Sequence, residues 1–226
     1  MNNNPLLTLS PQWRELSIVL LLILISTPLF WLTNLDQYIS SWFFNTDNGG
    51  SWLGQQLAWC RWLFNYAPRI IVSIAVLALI IAILSYWQTQ LKPLRRPCAY
   101  FVLLMLLGPG LIVNVIFKDH WGRPRPVHIS QFNGKYDYIP PLKLGHTEDK
   151  SFSCGHCAAV FSLFALYFLA RRNKRYYLLL ALSLGAIMGF VRLSAGGHFL
   201  SDILWSGYIV FISAWLLYYY WYTRES

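Results

Sequence analysis

Residues 98–117 have the sequence CAYFVLLMLLGPGLIVNVIF, an apolar run without a charged side chain. A helix of about 20 such residues is long enough to cross the roughly 30 Å hydrocarbon core of a bilayer. Comparable apolar windows cover residues 16–33, 70–87, 152–170, 176–191 and 199–222. The pattern therefore predicts an all-α polytopic membrane protein with six transmembrane helices, built as a single domain over residues 1–226.

The composition of the chain supports this class. Hydrophobic residues make up 56% of the sequence and charged residues 12%, whereas ordinary soluble domains carry roughly 25% charged residues. Eleven tryptophans add side chains that favour the membrane interface. These values exclude intrinsic disorder, a small disulfide scaffold and a cytosolic enzyme. We expect the partner of this basic chain to be the lipid bilayer and not nucleic acid; the sequence does not indicate an oligomeric state.

The distribution of positive charge predicts the orientation, because short cytoplasmic loops retain Lys and Arg. Half of the eighteen basic residues lie at the chain ends and in two short connections: Arg14, Lys92, Arg95, Arg96, Arg171, Arg172, Lys174, Arg175 and Arg224. We expect a bacterial inner-membrane (plasma-membrane) protein with both termini in the cytoplasm. The first apolar run is longer than the core of a typical signal peptide, which indicates an uncleaved signal anchor.

Two segments then fall on the outer, periplasmic or extracellular, face. Residues 34–68 contain Trp42, Trp52, Trp59 and Trp62 around the turn signal Asp47-Asn48-Gly49-Gly50, so we expect them to lie along the membrane interface. Residues 118–151 are polar and rich in proline, and we expect an ordered loop. The other nine basic residues fall on the outer face, although the charge rule predicts few cations on that side.

Three clusters of chemically active residues lie at span ends that this topology places together. They are KDHWGRPRP at residues 118–126, SCGH at residues 153–156 and RLSAGGHFLSD at residues 192–202. In the third cluster His198 and Asp202 are four residues apart, so on a helix the carboxylate can reach the imidazole. An acid inside an apolar span is costly and indicates a functional site, although a structural His–Asp hydrogen bond between helices is the alternative.

The other two clusters supply groups for an anion. Lys118 offers a point charge and Arg125 a planar fork, which are two complementary ways to bind phosphate, although basic residues at a helix end also contact lipid headgroups. Gly155 and His156 open a helix, where free N–H groups favour an anion and His156 can donate a proton; an ordinary helix cap is the alternative. With Arg192 as a third cation, the combined set predicts a site for a dianionic phosphate.

The three clusters resemble the signature of the type 2 phosphatidic acid phosphatase (PAP2) superfamily: K-x6-RP, then PSGH, then SR-x5-H-x3-D. Lys118 to Arg125-Pro126 matches the first part, Gly155-His156 ends the second, and the spacing of Arg192, His198 and Asp202 matches the third. The chain departs from the signature where Ser153-Cys154 replaces Pro-Ser and where Val191 replaces the serine before Arg192. Ser153 or backbone N–H groups would then take over the phosphate contact expected at Cys154.

The resemblance implies a metal-independent phosphoric ester hydrolase without a cofactor. It implies that His198 attacks phosphorus, that Asp202 orients its ring, and that His156 protonates the leaving oxygen. It also implies that Lys118, Arg125 and Arg192 hold the phosphoryl group, with Ser153, Cys154 and Gly155 beside it. The remaining histidines, His120, His128 and His146, fit no zinc spacing.

The substrate implied by the resemblance is a phosphorylated membrane lipid, and lipid A fits the Pro-rich first motif and long loop best. Phosphatidylglycerol phosphate, undecaprenyl diphosphate and transfer of the phosphoryl group to another lipid stay open. Two alternatives come from other classes. Cys154 and Cys157 form a C-x-x-C that is also typical of membrane thiol-disulfide oxidoreductases, and the apolar spans alone would suit a transporter or a structural membrane protein.

Overall fold

Helices dominate the computed structural model, which describes residues 10–47 and 49–224. Asn48 of the expected turn, and the ends of the expected domain, lie outside this described part. In chain order the elements are α1 (Pro11–Leu32), α2 (Leu35–Ser41), β1 (Phe44–Asn45), β2 (Ser51–Trp52), α3 (Leu53–Gln56), α4 (Ala58–Leu84), α5 (Lys92–Met105, continued by a π-helical segment Leu106–Lys118), α6 (Gly155–Phe161), α7 (Phe164–Leu169), α8 (Lys174–Ser194) and α9 (Leu200–Leu217, continued by a π-helical turn Tyr218–Tyr222).

Five of the helices in the described residues are long and apolar enough to cross a membrane: α1, α4, α5 with its continuation, α8 and α9. The expectation of a largely helical membrane protein is therefore confirmed. The expected fourth span is split into α6 and α7, which have 7 and 6 residues. A crossing by this pair stays a prediction, and so does the total of six spans. The small antiparallel pair of β1 and β2, with Phe44 opposite Trp52, is the departure from an all-α chain.

The outer surfaces of the long helices are apolar. Leu24 and Leu32 of α1 are 69% and 84% exposed, and α4 likewise presents a row of exposed Ile, Leu and Val side chains. Soluble monomers rarely expose apolar patches of this extent. In contrast, α9 is the most buried of the five long helices in the described residues. The bundle is thus arranged around α9, with its apolar exterior suited to lipid.

The π-helical continuation of α5 carries Lys118 to the site. It contains the sequence Gly108-Pro109-Gly110, and proline cannot donate the hydrogen bond that a regular helix needs. The helix widens to a π-helical winding here, and the Asn114 amide donates to the Pro109 carbonyl at 2.7 Å. The helix therefore continues past the proline and ends at Lys118.

The interfacial segment is shorter than the expected range 34–68. Helix α4 begins at Ala58 and runs through Pro68 without interruption, so residues 58–68 belong to the long helix. Trp52 also differs from the expectation, because it is 3% exposed and packs against Phe44 and Phe132 instead of lying at a lipid surface. Gly196, with φ +68°, makes room for the Trp52 ring, and this long-range contact explains the difference.

The loop from residue 119 to residue 151 is folded onto the ends of the helices. It contains two short 3-10 turns, Pro126–His128 and Ser130–Phe132. Its backbone is tied to the connection between α8 and α9, where the Val127 N–H donates to the Gly196 carbonyl at 3.1 Å. This loop brings the first cluster of the sequence against the third.

Candidate active site

His198 lies in the turn before α9 and is 1% exposed. Its Nδ1 atom is 2.7 Å from the carbonyl oxygen of Ser151. A carbonyl oxygen only accepts hydrogen bonds, so Nδ1 carries the proton in this contact. In the neutral imidazole the other nitrogen, Nε2, then holds the free electron pair. The backbone at Ser151 therefore selects the tautomer in which Nε2 is the nucleophilic atom.

Asp202 is buried beside His198 but does not make the direct hydrogen bond that the spacing predicts. Its Oδ2 atom is 3.7 Å from His198 Nδ1. The same oxygen accepts hydrogen bonds from the Ser151 hydroxyl at 2.7 Å and the Phe199 N–H at 2.9 Å. Asp202 thus acts on the imidazole as a nearby charge, and Ser151 connects the two residues.

The charge near His198 changes its ionisation. Burial alone would lower the pKa of His198, but the Cys154 sulfur and the Asp202 carboxylate outweigh burial and raise the pKa above its usual value. Burial likewise opposes ionisation of the Cys154 thiol, yet the Cys157 N–H, His198 and Arg192 lower the pKa of this thiol well below its usual value.

Arg123 joins the Asp202 carboxylate to α2. It is fully buried and pairs with Asp202, and with Asp36 of α2 at 2.9 Å. Ser201 also bonds to Asp36, through its hydroxyl and through its backbone N–H at 2.9 Å. A buried charge of this kind is stable only when it is paired and hydrogen-bonded. This Arg123–Asp36–Asp202 cluster fixes the position of the Asp202 carboxylate.

Arg125 and Arg192 line a cavity of about 450 Å³. Each guanidinium has a buried Nε atom without a hydrogen-bond partner in the described structure. Gly197 leaves room for the Arg192 guanidinium, because an added Cβ would lie 2.5 Å from its Nη2 atom and the guanidinium would have to shift. The backbone N–H of Arg125 is held by Asp149 at 3.0 Å. The two guanidinium groups therefore have free hydrogen-bond donors that an anion can use.

Lys118 and His156 line a neighbouring cavity of about 320 Å³ together with Gly155. Phe64 of α4 lies between the two sets of residues. Its ring stacks on the imidazole of His156 with 4.6 Å between centroids, and the Arg192 guanidinium lies 4.6 Å from the same ring. The aromatic side chain therefore links the candidate acid to one of the phosphate-binding cations.

The second sequence cluster is largely buried behind these cavities. Cys154 caps α6, and its sulfur accepts the Cys157 N–H at 3.3 Å. Both thiols are free and have no exposed surface, which does not suit a reaction with an external dithiol partner. The Ser153 hydroxyl is buried without a hydrogen-bond partner in the described structure. Ser153 and Cys154 line neither cavity, so their expected phosphate contact stays a prediction.

Four residues of the site were not singled out from the sequence: Asp36, Phe64, Arg123 and Ser151. Arg123 lies inside the first cluster, and an arginine buried in an apolar protein requires an acidic partner. The small number of acids in the chain, including Asp36, is the signal that could have identified this pair. Phe64 and Ser151 gave no signal, since an aromatic residue in an apolar stretch and a serine in a polar loop are ordinary.

The described residues, 10–47 and 49–224, contain no group of three or more His, Cys, Asp or Glu side chains that could hold a metal ion. His128 instead pairs with Asp149 at 2.7 Å, and His120 contacts the Val115 carbonyl at 3.0 Å. The expectation of a metal-independent reaction stays a prediction.

The arrangement of a buried histidine, a carboxylate and phosphate-binding cations agrees with known protein families. The pattern of the PAP2 superfamily matches residues 98–226. The chain belongs to the PAP2 superfamily, which confirms the family expected from the three clusters. No solved structure is similar enough to count as a match.

Three relatives carry the same name, lipid A 4'-phosphatase. The protein of Francisella tularensis subsp. novicida is 35% identical over 200 residues, which cover 85% of this chain and 89% of the relative. The protein of Rhizobium etli is 31% identical over 69% of this chain and 63% of its own length. The protein of Rhizobium leguminosarum is 35% identical over half of each chain.

Proposed function

We propose that this chain is a lipid A phosphatase that hydrolyses a phosphate monoester of the lipid's headgroup. The chain is a membrane lipid phosphatase of the PAP2 superfamily, and relatives covering most of its length are named lipid A 4'-phosphatase. The observation that carries the proposal is the buried His198, whose Nδ1 is fixed by Ser151 and whose chain neighbour Gly197 lines the cavity together with Arg125 and Arg192.

In the first step, Nε2 of His198 attacks the phosphorus atom. The N–P bond forms while the bond between phosphorus and the lipid oxygen breaks, and His156 gives its proton to that oxygen. The Nδ1 proton of His198 stays on the ring and keeps its hydrogen bond to the Ser151 carbonyl, and Asp202 stabilises the positive charge that the ring acquires. The products of this step are the lipid alcohol and a phosphohistidine.

In the second step, His156 accepts a proton from a water molecule, and the water oxygen attacks the phosphohistidine. The N–P bond breaks, so His198 is restored and inorganic phosphate leaves. Lys118, Arg125 and Arg192 neutralise the phosphoryl oxygens in both steps. Positioning and electrostatic stabilisation of this kind supply most of the rate enhancement in phosphoryl transfer.

The proposed location is the outer face of the bacterial inner membrane. Counting the α6–α7 pair as a crossing gives six crossings. The ends of α5 and α8, which carry Lys118 and Arg192, then lie on the side opposite the N-terminus. The basic connections at residues 92–96 and 171–175 support a cytoplasmic position for the opposite face.

The test is phosphate release by the full chain, purified in detergent, from a panel of phosphorylated lipids: lipid A, phosphatidic acid, phosphatidylglycerol phosphate and undecaprenyl diphosphate. We expect lipid A to be the preferred substrate, vanadate to inhibit and His198→Ala to abolish release. Preference for another lipid would overturn the substrate assignment. Activity retained by a folded His198→Ala variant would overturn the mechanism, and appearance of the phosphate on a second lipid would establish a transferase.

A further inference from the structure

The cavity that holds Arg125 and Arg192 has a second polar wall that the phosphate chemistry does not use. Its residues come from α3 and the first turns of α4: Gln55, Arg61 and Asn65. The cavity volume of about 450 Å³ lies in the range of pockets that enclose drug-sized molecules, roughly 300–1,000 Å³. The space therefore accommodates more of a headgroup than the phosphate alone.

The polar wall is fixed by hydrogen bonds to the backbone. The Gln55 amide donates to the Ala195 carbonyl at 3.0 Å, and the Asn65 amide donates to the Arg61 carbonyl at 2.9 Å. Arg61 donates through Nη1 to the carbonyl groups of Gln55 and Gln56 at 2.9 and 3.3 Å. Because these contacts use only part of each side chain, further donors and acceptors are held in place for a ligand.

The charge of the cavity exceeds what one phosphate requires. Arg61, Arg125 and Arg192 all line it, and none of them forms a salt bridge with an acid in residues 10–47 and 49–224. Lys118 adds a further cation at the neighbouring cavity. Lys118, Arg125 and Arg192 already serve the single phosphate that is hydrolysed. Arg61 is a further guanidinium in the same cavity, and it indicates a ligand with a second anionic group.

We propose that Gln55, Arg61 and Asn65 form a headgroup subsite for a saccharide that carries a second phosphate or another anionic group. This inference rests on the proposed function, because it concerns the part of the same substrate that is not hydrolysed. Arg61 pairs with the second anion, while Gln55 and Asn65 hydrogen-bond to sugar hydroxyl groups. The subsite gives the enzyme its preference for a charged glycolipid over a lipid with a bare phosphate.

The experiment compares two disaccharide lipids that share the phosphate to be removed, one of which also carries the second phosphate. The wild-type chain should prefer the lipid with two phosphates in kcat/KM. Arg61→Gln should reduce this preference about 10-fold, mainly through KM, because it removes a charge-assisted hydrogen bond to the second phosphate. Arg61→Lys should keep more of the preference than Arg61→Gln does, since lysine retains the charge but not the planar guanidinium.

Arg69→Gln is the matched control, because it removes the same charge from an exposed site on the same helix without lining the cavity. A preference that is unchanged in Arg61→Gln, or that falls equally in Arg69→Gln, would overturn the subsite. If Arg61→Gln does not fold, Asn65→Ala tests the same wall, with a reduced preference for the disaccharide lipid over phosphatidic acid. A wild-type chain that releases phosphate from none of these lipids would overturn the proposed function itself.

Discussion

At the scale of single residues, His156, the proposed acid, is in contact with the ring of Phe64, and we expect this contact to position it. The two rings stack with centroids 4.6 Å apart. We expect Phe64→Leu to lower kcat about 10-fold, a fraction of the roughly 10²–10⁴-fold that a positioned general acid supplies. Phe64→Trp should retain most of the activity. The measurement is kcat with a saturating lipid substrate.

Trp62→Leu serves as the control for Phe64, since it removes an exposed aromatic ring from the same helix that stacks on Tyr66 and not on His156. A loss in Trp62→Leu equal to that in Phe64→Leu would show that the effect comes from α4 as a whole.

The two cysteines provide a prediction about pH. His198 must be neutral to attack phosphorus, and the Cys154 sulfur raises the pKa of His198. Cys154→Ser therefore lowers this pKa, so activity should persist to lower pH than in the wild type. Activity at neutral pH should stay within about threefold, because a serine hydroxyl can also accept the Cys157 N–H and cap α6. The measurement is the pH dependence of kcat/KM.

Replacing both cysteines by serine separates phosphatase from thiol chemistry. We expect the double variant Cys154→Ser, Cys157→Ser to release phosphate at a rate close to that of Cys154→Ser. Complete loss of activity in a folded double variant would contradict the mechanism through His198.

At the scale of elements, the connection between α8 and α9 holds Arg192 against the cavity. In Gly197→Ala the new Cβ would lie 2.5 Å from the Arg192 guanidinium and displace it. We expect kcat/KM to fall about 10- to 100-fold, equivalent to losing about 1.5–3 kcal/mol from a charged hydrogen bond. The phosphate-release assay checks this value.

Gly207→Ala is a suitable control for Gly197, because its added Cβ would be no closer than 3.4 Å to the Phe161 ring. This variant should keep both activity and folding. Equal losses in the two variants would mean that helix packing, and not the Arg192 position, is responsible.

The Arg123 cluster connects α2, the loop after α5 and the start of α9. Arg123→Gln leaves Asp36 and Asp202 buried without their common cation. We expect the free energy of unfolding to fall by about 3–5 kcal/mol, the usual cost of breaking a buried ion pair from one side. Thermal unfolding in detergent measures the loss. An unchanged melting temperature would contradict a supporting role for this cluster.

At the scale of the whole molecule, the topology can be tested by labelling introduced cysteines. We expect Lys135→Cys and Arg172→Cys to react with a membrane-impermeant maleimide from opposite sides of the membrane. Cys98→Ser is a suitable background, since Cys98 is the one native thiol in the described residues that is not buried. Labelling of both positions from the same side would show that the α6–α7 pair does not cross.

The sequence predicted the membrane class and the family because both depend on local patterns. Uncharged windows such as residues 98–117 can be read directly from the sequence, and the intervals between the residues of the three clusters carry the family signature. The contacts of Arg123 with Asp36 and of Trp52 with Gly196 join residues far apart in the chain, so no local pattern contains them. The start of α4 at Ala58 was also missed, because the uncharged window begins at Ile70, whereas the folded helix continues through the charged residues before it.

The contact between His198 and residue 151 has a consequence for genetic analysis. The atom that orients the proposed nucleophile is a main-chain oxygen, and replacing the Ser151 side chain leaves that oxygen in the chain. A screen of point substitutions at position 151 would therefore report on the buried hydroxyl that donates to Asp202 at 2.7 Å, and not on the carbonyl that holds His198. Only a change of backbone atoms, such as an ester in place of the peptide group, would expose the dependence.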